Sequence, residues 1–225
     1  GVGREVTGLA YAAGNGDVAY TINVNGSGVA TTQPDVADAR FGVESINANA
    51  SEAVSENTTK MKAVMDAIKT LGIEDKNIQT VEYSMWVEQV YDPERGVPTG
   101  EMRYHITNQV NVKLYDISLV GQLLENVLEA GANTVGGITF GVDDPTALQS
   151  QAREQALKQA RARAEELAAG LGVKVGKVRQ VSEYSSGAAP VALRVEGMGG
   201  GDMSSIASGS YNVTVDVQVA FDIIQ

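Results

Sequence analysis

The sequence predicts an α+β fold in which three main helices pack on mixed, largely antiparallel sheets. Strict alternation of apolar and polar residues marks the strands, and apolar residues spaced three or four apart mark the helices. The elements follow one another in the order ββαββαβαββ, with a long β-hairpin around residues 78–115. Hairpins and helices in this order are typical of helices packed on antiparallel sheet.

The first two strands are separated by glycines. Alternation begins at Tyr20, and the second strand is predicted over about 36–48. Between them, Gly26-Ser27-Gly28 looks like the start of a phosphate-binding loop. A dinucleotide fingerprint needs a third glycine and a helix N-terminus, and the sequence offers neither. We interpret the glycines as a bend between two strands that marks a bulge or a close backbone approach.

The first two helices have clear end signals. Asn49 or Ser51 caps the first helix, and Gly72 ends it. Asp116 caps the second helix, which Gly131 ends. Both helices carry an apolar stripe, so one face of each is expected to pack on a sheet.

The third helix is the longest. Asp144 is its predicted N-cap, with Pro145 at the first helical position, and it runs to about Gly170. An alanine stands at every fourth position, and such a row lets a neighbouring element pack close. These alanines are Ala152, Ala156, Ala160, Ala164 and Ala168.

The remaining strands are predicted over 78–90, 102–114, 135–142, 175–184 and 211–223. The hairpin tip, 91–101, contains two prolines and two glycines. Residues 185–208 contain five glycines and are predicted to form a mobile loop or crossover.

Trp86, the only tryptophan, falls on the polar face of its strand. A large exposed apolar group often marks an interface, and the alternative is that a helix covers this face. Together with Tyr91 and Val97 near the hairpin tip, Trp86 forms the predicted oligomer interface.

No catalytic, cofactor-binding or metal-binding residue is predicted. The chain has no cysteine and a single histidine, His105, which the alternation places on a polar strand face as a solvated residue. One histidine without cysteine cannot build a zinc site. Glu82 and Glu88 lie on an exposed face without enclosing aromatics, and Met198 and Met203 are too weak a pair to indicate copper.

The amino-acid composition limits the kinds of partner that the protein is expected to bind. The net charge is −11 with an isoelectric point near 4.6, and such a surface repels nucleic acid. No apolar run approaches the roughly 20 residues that a membrane span needs. Because the chain begins at Gly1 without methionine, we expect that a signal peptide has been removed.

Residues 1–17 lack periodicity and are predicted to form a flexible N-terminal arm, followed by a single domain over 18–225. A helix, a glycine stop and a strand recur three times along the chain. This recurrence leaves open a division into two or three α/β units that share a core.

Four marks together resemble the SIMPL-domain family of bacterial YggE-like periplasmic proteins. They are the glycine-containing first strand before Pro34-Asp35, the segment "LGI…NIQT" (Leu71 to Thr80), "AGAN" (Ala130 to Asn133) and the helix pattern "AR…AL…AR..AE.LA..LG". The resemblance extends from Tyr20 to Ile224.

The resemblance implies an exported, soluble protein of the bacterial envelope, linked to defence against oxidative stress and without an assigned catalytic residue. Some members look like rings or channel-shaped assemblies. We therefore expect a non-enzymatic, periplasmic homo-oligomer, with peripheral association with the envelope left open. The alternative is a small-ligand binding module whose pocket lies between the sheet and the alanine-rich helix, under loop 185–208.

Overall fold

A computed structural model of the protein describes residues 20–187, 192–193 and 206–225. It confirms the predicted α+β class: three helices pack with two antiparallel sheets. The elements are β1 (Thr21–Thr32), β2 (Val36–Asn47), α1 (Ala50–Lys69), β3 (Ile78–Tyr91), β4 (Pro98–Leu114), α2 (Val120–Glu129), β5 (Thr134–Gly141), α3 (Thr146–Leu171), β6 (Lys174–Gly187), β7 (Ala192–Leu193) and β8 (Tyr211–Ile224).

The chain divides into two compact units. The first unit takes the described residues of 1–32, 144–189 and 210–225, and the second unit takes those of 33–143 and 190–209. Residues 1–17, the predicted N-terminal arm, lie outside the described residues. The expectation of one domain from residue 18 onward stays a prediction.

The first unit is a three-stranded antiparallel sheet, in the order β1-β8-β6, with α3 packed on it. All five alanines of the row on α3 are buried, as are the valines of alternate positions on β8. The row therefore faces the sheet, as its spacing predicted, and the small side chains bring the helix close to the strands.

The glycines of β1 lie under this helix. A Cβ atom at Gly26 would overlap the carbonyl oxygen of Ala156, and one at Gly28 would overlap that of Ala152. The predicted bend and bulge are wrong, because β1 pairs with β8 without a register shift from Thr21 to Thr32. The alternative interpretation, a close backbone approach, is confirmed.

The same helix closes the outer edge of β1. Three of its polar side chains, spaced four residues apart, bind backbone groups of the strand. Gln155 Oε1 accepts from Val29 N–H at 3.2 Å, Gln159 Oε1 accepts from Ser27 N–H at 2.7 Å, and Arg163 Nη1 donates to Asn25 O at 2.7 Å. The backbone amides of Ser27 and Val29, which a phosphate at this glycine segment would need, are therefore already hydrogen-bonded to α3.

The second unit is a βαββαβ arrangement, from β2 through α1, β3, β4 and α2 to β5. Its antiparallel sheet has the order β3-β4-β2-β5, with the short β7 beside β5, and this is the split βαβ topology. Both helices pack on one face and enclose a core that includes Phe41, Ile68, Leu123 and Ile138.

Ser45 and Asn57 are polar residues that are buried in this unit. Asn57 of α1 is fully buried, and its Nδ2 donates to Val43 O at 2.9 Å and to Ile106 O at 3.2 Å. A single side chain thus ties the helix to both central strands, β2 and β4. Apolar periodicity alone did not predict this contact.

The predicted helix caps are found with small shifts. Asn49, not Ser51, caps α1, where its side chain accepts from Glu52 N–H at 3.1 Å. Asp144 accepts from Thr146 N–H at 3.0 Å, and α3 begins at Thr146, directly after Pro145. A short 3₁₀ turn, Ile117–Leu119, precedes α2.

The glycine-rich segment 185–208 is only partly described. Residues 185–187 belong to β6, which is longer than predicted, and residues 192–193 form β7. The rest of the predicted loop up to residue 205, with Met198 and Met203, lies outside the described residues.

We predict that Gly28→Ala lowers the free energy of unfolding by about 1–3 kcal/mol, because the new methyl group must displace the backbone of α3. Urea unfolding followed by circular dichroism measures this change. Gly170→Ala is the matched control, since Gly170 lies near the end of the same helix with open space around it. It should gain up to about 1 kcal/mol. Equal stability of wild type and Gly28→Ala would contradict the close packing.

Candidate functional site

The only histidine lies between two carboxylates on the face of the second unit's sheet that α1 and α2 leave uncovered. His105 Nδ1 is 3.0 Å from Glu44 Oε1, and Nε2 is 2.8 Å from Glu88 Oε2. His105 is on β4, and its partners are on the two adjacent strands, β2 and β3. The residue is only 6% exposed, so the prediction of a solvated histidine is wrong.

Trp86 covers the histidine. Its ring stacks on the imidazole with centroids 3.8 Å apart and planes inclined by 16°. Trp86 is directly opposite His105 in the β3–β4 register and remains 52% exposed. We call His105, Glu44, Glu88 and Trp86 the His105 clasp. The indole removes the histidine from water while its own second face stays in solvent.

The geometry of the clasp requires a protonated histidine. A neutral imidazole has one donor nitrogen and one acceptor nitrogen, whereas the imidazolium has two donors. Since both neighbours are carboxylates, only the charged form satisfies both contacts. The hydrogen bond to Glu44, assisted by that to Glu88, raises the pKa of His105 above 6.5, although burial alone would lower it. An indole face also favours a cation.

The "AGAN" segment positions one carboxylate of the clasp. Asn133 Oδ1 accepts from Glu44 N–H at 2.7 Å, and Asn133 Nδ2 donates to Glu44 O at 2.8 Å. The asparagine side chain thereby extends the β2–β5 pairing by one residue, after Gly131 with φ of 117° has turned the chain. Asn133 thus fixes the backbone of Glu44, and the side chain of Glu44 in turn binds His105.

The clasp is not arranged for acid–base catalysis. Both imidazole nitrogens are engaged by carboxylates, so neither presents a lone pair to a substrate. The nearby hydroxyl of Ser84 lies 3.1 Å from Glu82 Oε1. Within the described ranges, no group of three or more His, Cys, Asp or Glu side chains is placed so that it could hold a metal ion.

The strand that carries Trp86 and Glu88 is the open edge of its sheet. β3 is last in the strand order, and from Glu82 to Gln89 it pairs with β4 without interruption between two register shifts. Tyr83, Met85 and Val87 point to one face and are about half exposed. An uninterrupted edge strand with exposed apolar side chains is a template for pairing with another strand.

In the described part of the chain, β1 and β5 are each covered by a neighbouring element. α3 covers β1, and β7 pairs with β5 over Ile138 and Thr139. β6 is exposed along its length. Its Lys174, Lys177 and Arg179 and its two register shifts, which are typical devices against edge pairing, lie before Gln180, and from there to Gly187 it pairs with β8 without interruption. β3 has no lysine, arginine or proline.

The three residues of the predicted interface all lie on the β3–β4 hairpin and are exposed: Trp86 within β3, Tyr91 at its end and Val97 in the turn. No described helix covers Trp86. Tyr83, Met85 and Val87 were not among the predicted interface residues, because alternation alone does not show which face of a strand is covered. Only the packing shows that α1 reaches β2 and β4 but leaves β3 uncovered.

α3 contacts the backbone of β1 directly, and most of the 185–208 loop that would close the expected pocket lies outside the described residues, so this pocket stays a prediction. A cavity of about 300 Å³ lies in the second unit, between the end of α1 and the end of β4. Its lysines are already paired, Lys76 with Glu74 at 2.9 Å and Lys113 with Asp143 at 3.4 Å.

Comparison with known proteins gives one family and several relatives. The model of the SIMPL family, described as a protein of unknown function (DUF541), matches residues 22–221. The 26 kDa periplasmic immunogenic protein of Brucella melitensis is 31% identical over 90% of this chain and 84% of its own length. The uncharacterized protein YggE of Edwardsiella ictaluri is 27% identical over 82% and 77% of the two chains, and that of Escherichia coli is 25% identical over 75% and 68%. Among the described helices, none is long and apolar enough to cross a membrane.

We predict that the stability supplied by the clasp depends on pH. A folded-state pKa raised above 6.5 means that the contribution is complete below pH 6.5 and is lost as the pH rises through the folded-state pKa. His105→Gln should therefore lower the free energy of unfolding at about pH 6, by about 1.5–3 kcal/mol for the lost charged hydrogen bonds. At about pH 9 the difference from wild type should be smaller. Urea unfolding at both pH values measures it, and an equal loss at both would contradict the predicted loss of the His105 proton between them.

Proposed function

The chain belongs to the SIMPL family, and we propose that it is a non-enzymatic, exported envelope protein that forms a homo-oligomer. Its role in this proposal is structural or protective against oxidative stress. The second copy of the chain is its first partner, and association with the envelope is peripheral.

The observation that carries the proposal is the open edge of β3. From Glu82 to Gln89 this edge offers backbone N–H and C=O groups beside an apolar face of Tyr83, Met85 and Val87. A strand from a second copy would satisfy those groups and bury those side chains. Strand addition of this kind obtains its affinity from main-chain hydrogen bonds.

The absence of an assembled catalytic group among the described residues supports the non-enzymatic part. His105 is the one side chain whose usual pKa suits acid–base work near neutral pH, and its nitrogens face Glu44 and Glu88. The chain contains no cysteine that could act as a nucleophile.

The proposed periplasmic location is inferred from the relatives of this chain. The Brucella relative is named a periplasmic protein, and it aligns with 90% of this chain. We extend that location to this protein. The absence of cysteine removes any dependence on disulfide formation, so the fold suits an oxidising compartment as well as a reducing one.

We predict that Val87→Lys dissociates the oligomer. Light scattering on the purified chain should give a wild-type mass that is a multiple of 23.6 kDa, and the variant should need at least about tenfold higher concentration to associate. The reason is that lysine on an edge strand blocks pairing.

Val181→Lys is the matched control. Val181 is also a valine on an edge strand, β6, and is 56% exposed, compared with 47% for Val87. Its substitution should leave the mass unchanged. A monomeric wild type at high concentration would end the assembly proposal, and an equal effect of both substitutions would remove β3 as the interface.

We predict that protection against oxidants requires the assembly. A bacterium that lacks its own SIMPL protein would be given the wild type, Val87→Lys or Val181→Lys and then exposed to hydrogen peroxide. Survival should be restored by the wild type and Val181→Lys but not by Val87→Lys, at equal protein levels on immunoblots. Equal survival without any of the proteins would argue for a structural role alone.

A further inference from the structure

The His105 clasp lies directly beside the open edge of β3. Glu88 and Trp86 belong to the uninterrupted stretch of that strand, and His105 ties them to β4 and, through Glu44, to β2. The clasp therefore fixes the edge strand across three strands of the sheet. Because Trp86 and Glu88 are themselves residues of the edge strand, a change in the protonation of the clasp acts on that strand directly.

Loss of one proton removes one of these ties. A neutral imidazole must place a lone pair against a carboxylate oxygen at 2.8 or 3.0 Å, and the two repel each other. One glutamate then turns to water, and Trp86 loses the cation beneath its ring. If Glu88 is the one released, the edge strand loses this side-chain tie to the sheet centre and keeps its backbone pairing with β4.

Other charged groups on this face do not replace the imidazolium. Arg103 is opposite Glu88 in the β3–β4 register and lies 3.8 Å from Glu101. Glu82, further along β3, accepts from Ser84. On β2, Arg40 stands four residues before Glu44 on the same alternating face. The two helices pack on the opposite face of the sheet and bring no charge to the clasp.

We propose that protonation of His105 is a switch for self-association: the protonated clasp presents β3 as a fixed edge that a second copy can pair with, and the neutral clasp loosens it. This inference rests on the proposed function, since it concerns the control of the same edge. Association is thereby favoured at lower pH.

The chain carries its own reporter for the switch. It has one tryptophan and one histidine, and they stack on each other, so the emission of Trp86 follows the charge of His105. Emission and mass by light scattering would be recorded on the same full-length samples, from about pH 5.5 to about pH 9.5 at constant ionic strength. The two curves should show transitions with one common midpoint above pH 6.5.

Substitution of either carboxylate should move both transitions together. Glu44→Gln and Glu88→Gln each remove one negative charge from the imidazolium, and each should lower the common midpoint by about one pH unit. Glu82→Gln is the matched control, because it makes the same change on the same face without touching His105. It should leave the emission midpoint in place. Circular dichroism confirms that each variant is folded.

Each outcome has a separate meaning. A protein that stays monomeric at every pH overturns the proposed self-association, whatever the emission does. An oligomer whose mass stays constant through the emission transition overturns the switch and leaves the assembly intact. The same conclusion follows if the folded His105→Gln variant retains the pH-dependent change in mass.

Discussion

Every open sheet ends in two strands whose outward backbone groups need a partner, and this constraint organises the molecule. The first unit satisfies it at β1 with the side chains of Gln155, Gln159 and Arg163, and the first part of β6 carries three cations. The second unit adds β7 beside β5. At β3, which carries no lysine or arginine, the described chain supplies no cover.

A helix can cover the edge of its own sheet only if it packs close to the edge strand. The sequence of the first unit allows such close packing, and that of the second unit does not. Alanines at every fourth position of α3 and glycines at alternate positions of β1 leave no side chain between helix and strand. The helix can then extend polar side chains past the sheet edge. The second unit's helices carry bulky residues such as Ile68 and Leu123 and sit over the sheet centre. They fill a core, and β3 stays outside it.

Periodicity and end signals predicted the elements of the fold because they depend on residues that are neighbours in the chain. Asn49 and Asp144 could be assigned as caps on that basis. The clasp could not, because His105 is separated from Glu44 by 61 residues and from Glu88 by 17, and they meet only through strand register. The glycines of β1 were compatible with a bulge or a close approach, and the choice depended on a helix more than 120 positions away. The exposure of the apolar face of β3 was not predicted, since alternation identifies two faces without showing which one is covered.

Charge gives the clasp a second effect on association. With a net charge of −11, two copies of the chain repel each other over most of their surface. The β3 edge carries only Glu82 and Glu88, and the imidazolium between Glu88 and Glu44 cancels one of the charges that would face a second strand. When the histidine is neutral, the charge of that glutamate is no longer cancelled, and the side-chain tie between the histidine and the strand is lost. The fixation of β3 by the clasp and the neutralisation of its negative charge therefore both weaken as the pH rises, and the single proton on His105 controls both.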